Sequence, residues 1–110
     1  MKVASFLENV KFNENKPAVS LLLDTDHSKE IRIVFKKGQV MESHQAPFSI
    51  IVHIVKGNIK FGVDEKIIQL EEGDLISLKP HIVHSLEANE VSIVRLSLSK
   101  SDTLTRVKNV

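Results

Sequence analysis

The chain has 110 residues, with 15 Lys and Arg against 14 Asp and Glu, and a formal net charge of +1. That length suits one domain with one core, and so small a charge offers no field to steer nucleic acid or an anionic membrane. Cys, Trp and Tyr are all absent, which excludes disulfides, thiolate chemistry, cysteine-bound metals and a tyrosine acid.

The apolar residues sit mostly in short β-branched runs punctuated by turn formers, the signature of an all-β domain. Helical spacing is weak outside residues 2–10. The predicted strands begin with residues 18–24, followed by a polar turn, Asp24-Thr25-Asp26-His27-Ser28-Lys29-Glu30. Residues 31–36 form the next strand, ending at Lys37-Gly38, and residues 39–45 the one after, broken by Ala46-Pro47. Residues 49–55 make a largely apolar strand. Lys56-Gly57-Asn58 is a hairpin turn, because Gly and Asn tolerate positive φ. Strands at 59–63 and 67–70 flank Asp64-Glu65-Lys66, and Glu71-Glu72-Gly73-Asp74 turns into residues 75–78. Strands 84–88 and 91–98 complete the set. The polar tail, 99–110, is read as a surface arm or a disordered end, with Thr103, Leu104, Thr105 and Val107 its candidates for packing. Strands this short and evenly spaced suggest a barrel or sandwich. The longest apolar runs fall far short of a membrane span, and residues 1–12 lack an apolar signal core, so a cytoplasmic domain is expected.

Two segments carry a recognisable spacing. Gly38-x5-His44 leads to Gly57, and Gly73-Asp74-x5-Pro80-x3-His84 follows. This resembles the paired motifs of the cupin superfamily, G-x5-H-x-H-x3-E-x6-G and G-x5-P-x-G-x2-H-x3-N, across about residues 30–98. The resemblance implies a small single-domain cupin-type jelly-roll β-barrel over residues 1–110, with motif residues lining its interior. In metal-binding cupins three His and one Glu hold a divalent ion. Here His44 and His84 remain, but Ala46 stands at the second His position and Ile50 at the Glu position. In the second motif Lys79 takes the proline position, His81 the glycine and Ala88 the asparagine.

If the resemblance holds, strand alternation points His44, Ala46, Ile50, Val52, Ile54, Leu86 and Ala88 inward. The expected ligand-binding set is His44, His84, Met41, Ile50, Val52, Ile54 and Leu86. The expected metal ligands are His44 and His84 around one divalent transition metal, with Glu42, two residues before His44, as a conceivable third. Two neutral imidazoles make an incomplete site, since catalytic zinc takes three protein ligands and iron oxygenases two His and a carboxylate. His81 is expected at the barrel mouth, His53 on the outer face of its strand, and His27 in a solvated turn. Lys79 is the one basic residue placed near the mouth.

Residues 49–55 are apolar on both faces, so something must cover the second one. That is either an N-terminal strand (9–13 or 18–23) or a second subunit, and an isologous homodimer is expected. Two functions follow. One is a small-molecule-binding or sensing barrel, with no nucleic-acid or membrane partner. The other is a metal-dependent dioxygenase or isomerase using His44, His84 and a third ligand. A blander alternative is an accessory dimer with a filled barrel.

Overall fold

The computed structural model covers residues 1–110 and turns the alternating pattern into nine strands and one short helix. In chain order the strands are β1 (Ala18–Asp24), β2 (Ser28–Phe35), β3 (Val40–His44), β4 (Ile50–Lys56), β5 (Asn58–Val63), β6 (Lys66–Glu71), β7 (Leu75–Leu78), β8 (His84–Ala88) and β9 (Ser92–Ser99). The helix is α1 (Leu104–Lys108). The strands form two antiparallel sheets, one of five in the order β1-β2-β9-β4-β7 and one of four in the order β3-β8-β5-β6. No helix is long and apolar enough to cross a membrane.

The inner faces of both sheets meet in a single hydrophobic cluster. Ile31, Ile33 and Phe35 of β2, Ile50, Val52 and Ile54 of β4, and Val94, Leu96 and Leu98 of β9 come from the larger sheet. Met41, Ile59, Phe61, Leu70, Leu86 and Ala88 come from the smaller one. Period-two alternation is clearest in β5 and β8, where every second residue is buried.

Strand β2 starts three residues earlier than expected. The Thr25 and Ser28 backbones close a tight turn at 2.9 Å, and the Thr25 hydroxyl accepts from the Ser28 N–H at 3.0 Å. The polar run therefore shrinks to a short hairpin loop, and Glu30 enters the strand. It lies nearly buried, accepting from Arg95 Nε at 2.8 Å and from the hydroxyls of Ser28 and Ser97.

The second face of the larger sheet is covered in part by the chain's own N-terminal segment, which forms neither a helix at 2–10 nor a strand at 9–13. Arg32, 7% exposed, donates to the carbonyls of Glu8 at 2.8 Å and Asn9 at 3.2 Å, with longer contacts to Ser5 and Phe6. Guanidinium suits this work, because its several fixed donors can hold consecutive carbonyls at once. Leu7, Val10 and Phe12 then form one cleft with Val55, Val91 and Ile93. Ile51 and Leu75 on the sheet stay uncovered, 46% and 64% exposed.

The tail departs from expectation. It is neither a free arm nor disordered: α1 packs beside β1, and Val107 is 2% exposed inside the core cluster. Thr103 caps the helix by accepting from the Arg106 N–H, and Arg106 Nε and Nη2 clasp Asp102 at 2.7 and 2.8 Å. An isolated five-residue helix would not persist in water, so this docking is what holds it.

Gly57 illustrates a turn fixed by close approach. It has φ +100°, and a Cβ there would sit 2.6 Å from the Val91 carbonyl oxygen and 2.7 Å from Ser92 Cα. Gly57→Ala is expected to cost about 3 kcal/mol or more, by strained φ plus a backbone clash. Gly38, at φ +86° with nothing within 4 Å, should lose only the left-handed penalty of about 1–2 kcal/mol on the same change. Urea unfolding midpoints of the two variants check the difference.

Candidate functional site

His44 closes β3 and His84 opens β8, and the two are register partners. Strict alternation would not have brought both Met41 and His44 inward, because they differ in parity. A β-bulge resolves it: Met41 pairs with Leu86 and His44 with His84, three residues against two. The extra residue turns Glu42 and Ser43 both outward, and both are exposed.

The imidazole centroids lie 4.2 Å apart at a 59° tilt, and Phe61 stacks on His84 at 5.8 Å. Each ring is tied down by the backbone carbonyl two residues before it. His44 Nδ1 lies 2.7 Å from the Glu42 carbonyl oxygen, and His84 Nδ1 2.9 Å from that of Ile82. A carbonyl only accepts, so both Nδ1 atoms carry the proton and both Nε2 atoms present a lone pair.

Both rings are held neutral. Burial is the main cause for His84 and pushes its pKa down to about 4; the bond to Ile82 opposes this, while the nearby His44 and Arg106 add to it. His44 is lowered in the same way, first by burial and then by Arg106, against the bond to Glu42. Arg106 is thus part of the electrostatics of the site, a residue that sequence reasoning missed. Its signal was present as an i, i+4 acid–base pair, Asp102 and Arg106, spanning Thr103, with Leu104 and Val107 on one helical face.

A cavity of about 570 Å³ opens beside His84, walled by Ser43, Val63, Lys66, His81, Ile82 and Ser85 among others. Of the seven residues expected to bind a ligand, only His84 lines it. Met41, Ile50, Val52, Ile54 and Leu86 are 0–4% exposed, belong to the packed core and take no part in the wall of this cavity. Glu42 is exposed, and no group of three or more His, Cys, Asp or Glu residues converges anywhere. The bulge is the reason: it gives the Glu42 backbone to His44 and sends its side chain outward. Ala46 and Ile50, at the remaining motif positions, are each 3% exposed within the core.

Among the other histidines, His81 is exposed and lines the cavity, His27 is exposed in its turn, and His53 is half-buried on the outer face beside Arg95 and Leu75. Lys79 is exposed. His81 has φ +67° and donates its N–H to the Ala46 carbonyl at 2.8 Å. It occupies the glycine position of the motif in a conformation glycine would take freely. His81→Gly is expected to stabilise the fold by about 0.5–1 kcal/mol, the left-handed penalty less glycine's extra chain entropy. Thermal unfolding of the variant checks this.

The two-sheet strand order, the motif spacing and the paired histidines define a cupin of the double-stranded β-helix type. The sequence agrees with a family model: residues 33–96 match the AraC-like ligand binding domain, more than half the chain. The chain belongs to this family and is a cupin-type ligand-binding domain. Solved structures share the fold. An RmlC-like cupin protein from Desulfovibrio desulfuricans superposes with a TM-score of 0.83 at 20% identity, over 91% of this chain and 97% of that one. A conserved protein with a double-stranded β-helix domain from Klebsiella pneumoniae gives 0.80 at 20% identity, over 94% of each chain. A conserved protein of Streptococcus pyogenes gives 0.76 at 22% identity, over 93% of this chain and 90% of that one. None of the curated proteins matches this sequence.

Proposed function

We propose that the chain is a small-molecule-binding module without catalytic activity, and that its ligand rests against His44 and His84 at the barrel mouth. The observation that carries this reading is the donor set. Two neutral imidazoles stand side by side with their Nδ1 atoms already spent, and the positions that would complete a metal centre are the buried apolar Ala46 and Ile50. These residues do not fit the three-ligand minimum of a catalytic metal site. They do fit a recognition site, where a few polar groups orient a ligand over an apolar base. Membership of a ligand-binding family supports the same reading.

The test is a titration of untagged protein with a panel of monosaccharides, polyols and hydroxy acids, followed by the imidazole ring signals in NMR. Signals of His44 and His84 should move while those of His27 and His53 stay, and His44→Asn with His84→Asn should abolish binding. A panel without effect, against tight stoichiometric uptake of zinc, iron or manganese, would favour the metal-enzyme alternative.

The module is further proposed to act as a homodimer in the cytoplasm. Ile51 and Leu75 leave an apolar area on the five-stranded sheet next to His53, and an isologous contact would cover it. Light scattering behind size exclusion should give twice the chain mass of 12.4 kDa. A single-chain mass would remove the dimer from the account.

A further inference from the structure

We infer that the cleft beside the N-terminal segment is a second binding site, and that it takes a free amino acid with a large apolar side chain. It is independent of the binding role proposed above and lies at the other end of the fold. His84 opens β8 and Ala88 closes it, so the link from Asn89 to Val91 is at the far end of that strand from the histidine pair. The turns after β4 and after β6 meet it there, and Lys56, Gly57, Glu72, Glu90 and Val91 line one cavity. An apolar cavity of about 420 Å³ adjoins it and shares Lys56, Glu72 and Val91.

The apolar cavity has two walls. Leu7, Val10 and Phe12 of the N-terminal segment form one, and Val55, Val91 and Ile93 the other. Leu7, Phe12 and Val91 are 63%, 43% and 47% exposed, so these walls are wetted rather than packed against each other. Arg32 fixes the segment through the Glu8 and Asn9 carbonyls, which sets the first wall in place without closing the cleft. Facing apolar walls held apart in water favour a guest that removes both from solvent.

The charges beside the cleft select the head group. Lys56 and Glu72 line the apolar cavity itself, and Glu90 lines the adjoining one. None of the three is engaged in an ion pair within the chain. One cation and two carboxylates match a zwitterion, with its carboxylate on Lys56 and its ammonium on Glu72 and Glu90. An apolar acid would bring an anion to both glutamates, and an apolar amine would bring a cation to Lys56. In an amino acid the two charges sit directly beside the apolar body. The chain repeats that juxtaposition twice, at Val55-Lys56 and at Glu90-Val91.

The experiment is an NMR titration of the full chain with L-leucine, L-leucinamide and the α-hydroxy analogue of leucine, at about pH 6.5 so that the α-amino groups are charged. The three share one apolar body; the amide lacks the carboxylate and the hydroxy acid lacks the ammonium. The methyl signals of Val55, Val91 and Ile93 should move with leucine, while the ring signals of His44 and His84 stay. Leucine should bind about threefold more tightly than the amide and about tenfold more tightly than the hydroxy acid, the scale of exposed ion pairs, with both gaps shrinking in about 0.5 M NaCl. Lys56→Gln should erase the preference over the amide, and Glu72→Gln with Glu90→Gln the preference over the hydroxy acid. All three side chains are exposed, and the wild-type comparison stands without the variants. Cleft signals unmoved by about 10 mM leucine, or equal affinities for the three probes, overturn the inference. Cleft signals that shift on dilution of the chain alone would give the cleft to a second copy and overturn it too. Neither result touches the ligand proposed at His44 and His84, whose test is read at the imidazole rings.

Discussion

Replacing Arg106 with alanine is expected to lower the unfolding free energy by about 3–5 kcal/mol, the usual result of removing one partner of a buried ion pair. The cause is the group left behind. The Asp102 side chain is 1% exposed, and its two oxygens accept from Arg106 Nε and Nη2. After the change one oxygen keeps the Thr103 N–H at 2.8 Å, and the other has no donor. The loss has a ceiling. If the orphaned carboxylate costs more than the tail's docking is worth, residues 101–110 undock, Asp102 regains water, and Val107 leaves the core instead. Asp102→Ala with Arg106→Ala should therefore be less damaging than Arg106→Ala alone, since no charge is stranded. Urea unfolding of the three variants gives the cycle. An Arg106→Ala chain within 1 kcal/mol of wild type, on the scale of an exposed pair, would show that the clasp is not a buried one.

Acid should destabilise the fold earlier than its carboxylates require. His84 is depressed from 6.5 to about 4 in the folded chain, while in the unfolded chain it titrates near 6.5. Between those values the unfolded state binds the extra proton, so stability falls as the pH drops from about 6.5 to 4. The full excursion is about 3 kcal/mol for this group alone, and His44 adds to it in the same direction. Above about pH 7.5 both rings are neutral in both states and contribute no slope. Glu30 acts in a lower window. The Ser97, Ser28 and Arg95 contacts outweigh its burial and hold its carboxyl below the ordinary 4.5, so the stability it contributes is lost only as the pH falls below that value. Chemical unfolding across pH 4 to 8 should show the slope, and His84→Asn should remove most of it. A profile flat from pH 8 to 4.5 would contradict the neutral, buried imidazole pair.

Much of this fold is legible in the sequence because period-two alternation and turn residues act locally. Ile50-Ile51-Val52-His53-Ile54 declares a strand with one fully buried face, and Gly57 marks a turn whose φ no other residue enters freely. The motif spacing also brings His44 and His84 to one place. What the pattern cannot carry is a break in its own period. The bulge between Met41 and His44 reverses the side on which Glu42 was expected, because one extra residue flips every later side chain. Alternation sets Val52, Ile54 and Leu86 inside, yet whether an inside position is filling or cavity wall depends on how two sheets close on each other. Non-local partners were the least visible. Arg32 grips a segment 23 to 27 residues away along the chain. Arg106 clasps Asp102 in a tail whose helix is too short to declare itself by propensity.

The proposed binding role and the metal-enzyme alternative differ in the content of the site. Elemental analysis of untagged protein, after exposure to zinc, manganese, iron and nickel and then dialysis, measures it directly. The account predicts metal far below one ion per chain, with no difference between wild type and His44→Ala. One tightly held ion per chain, lost in His44→Ala, would contradict it.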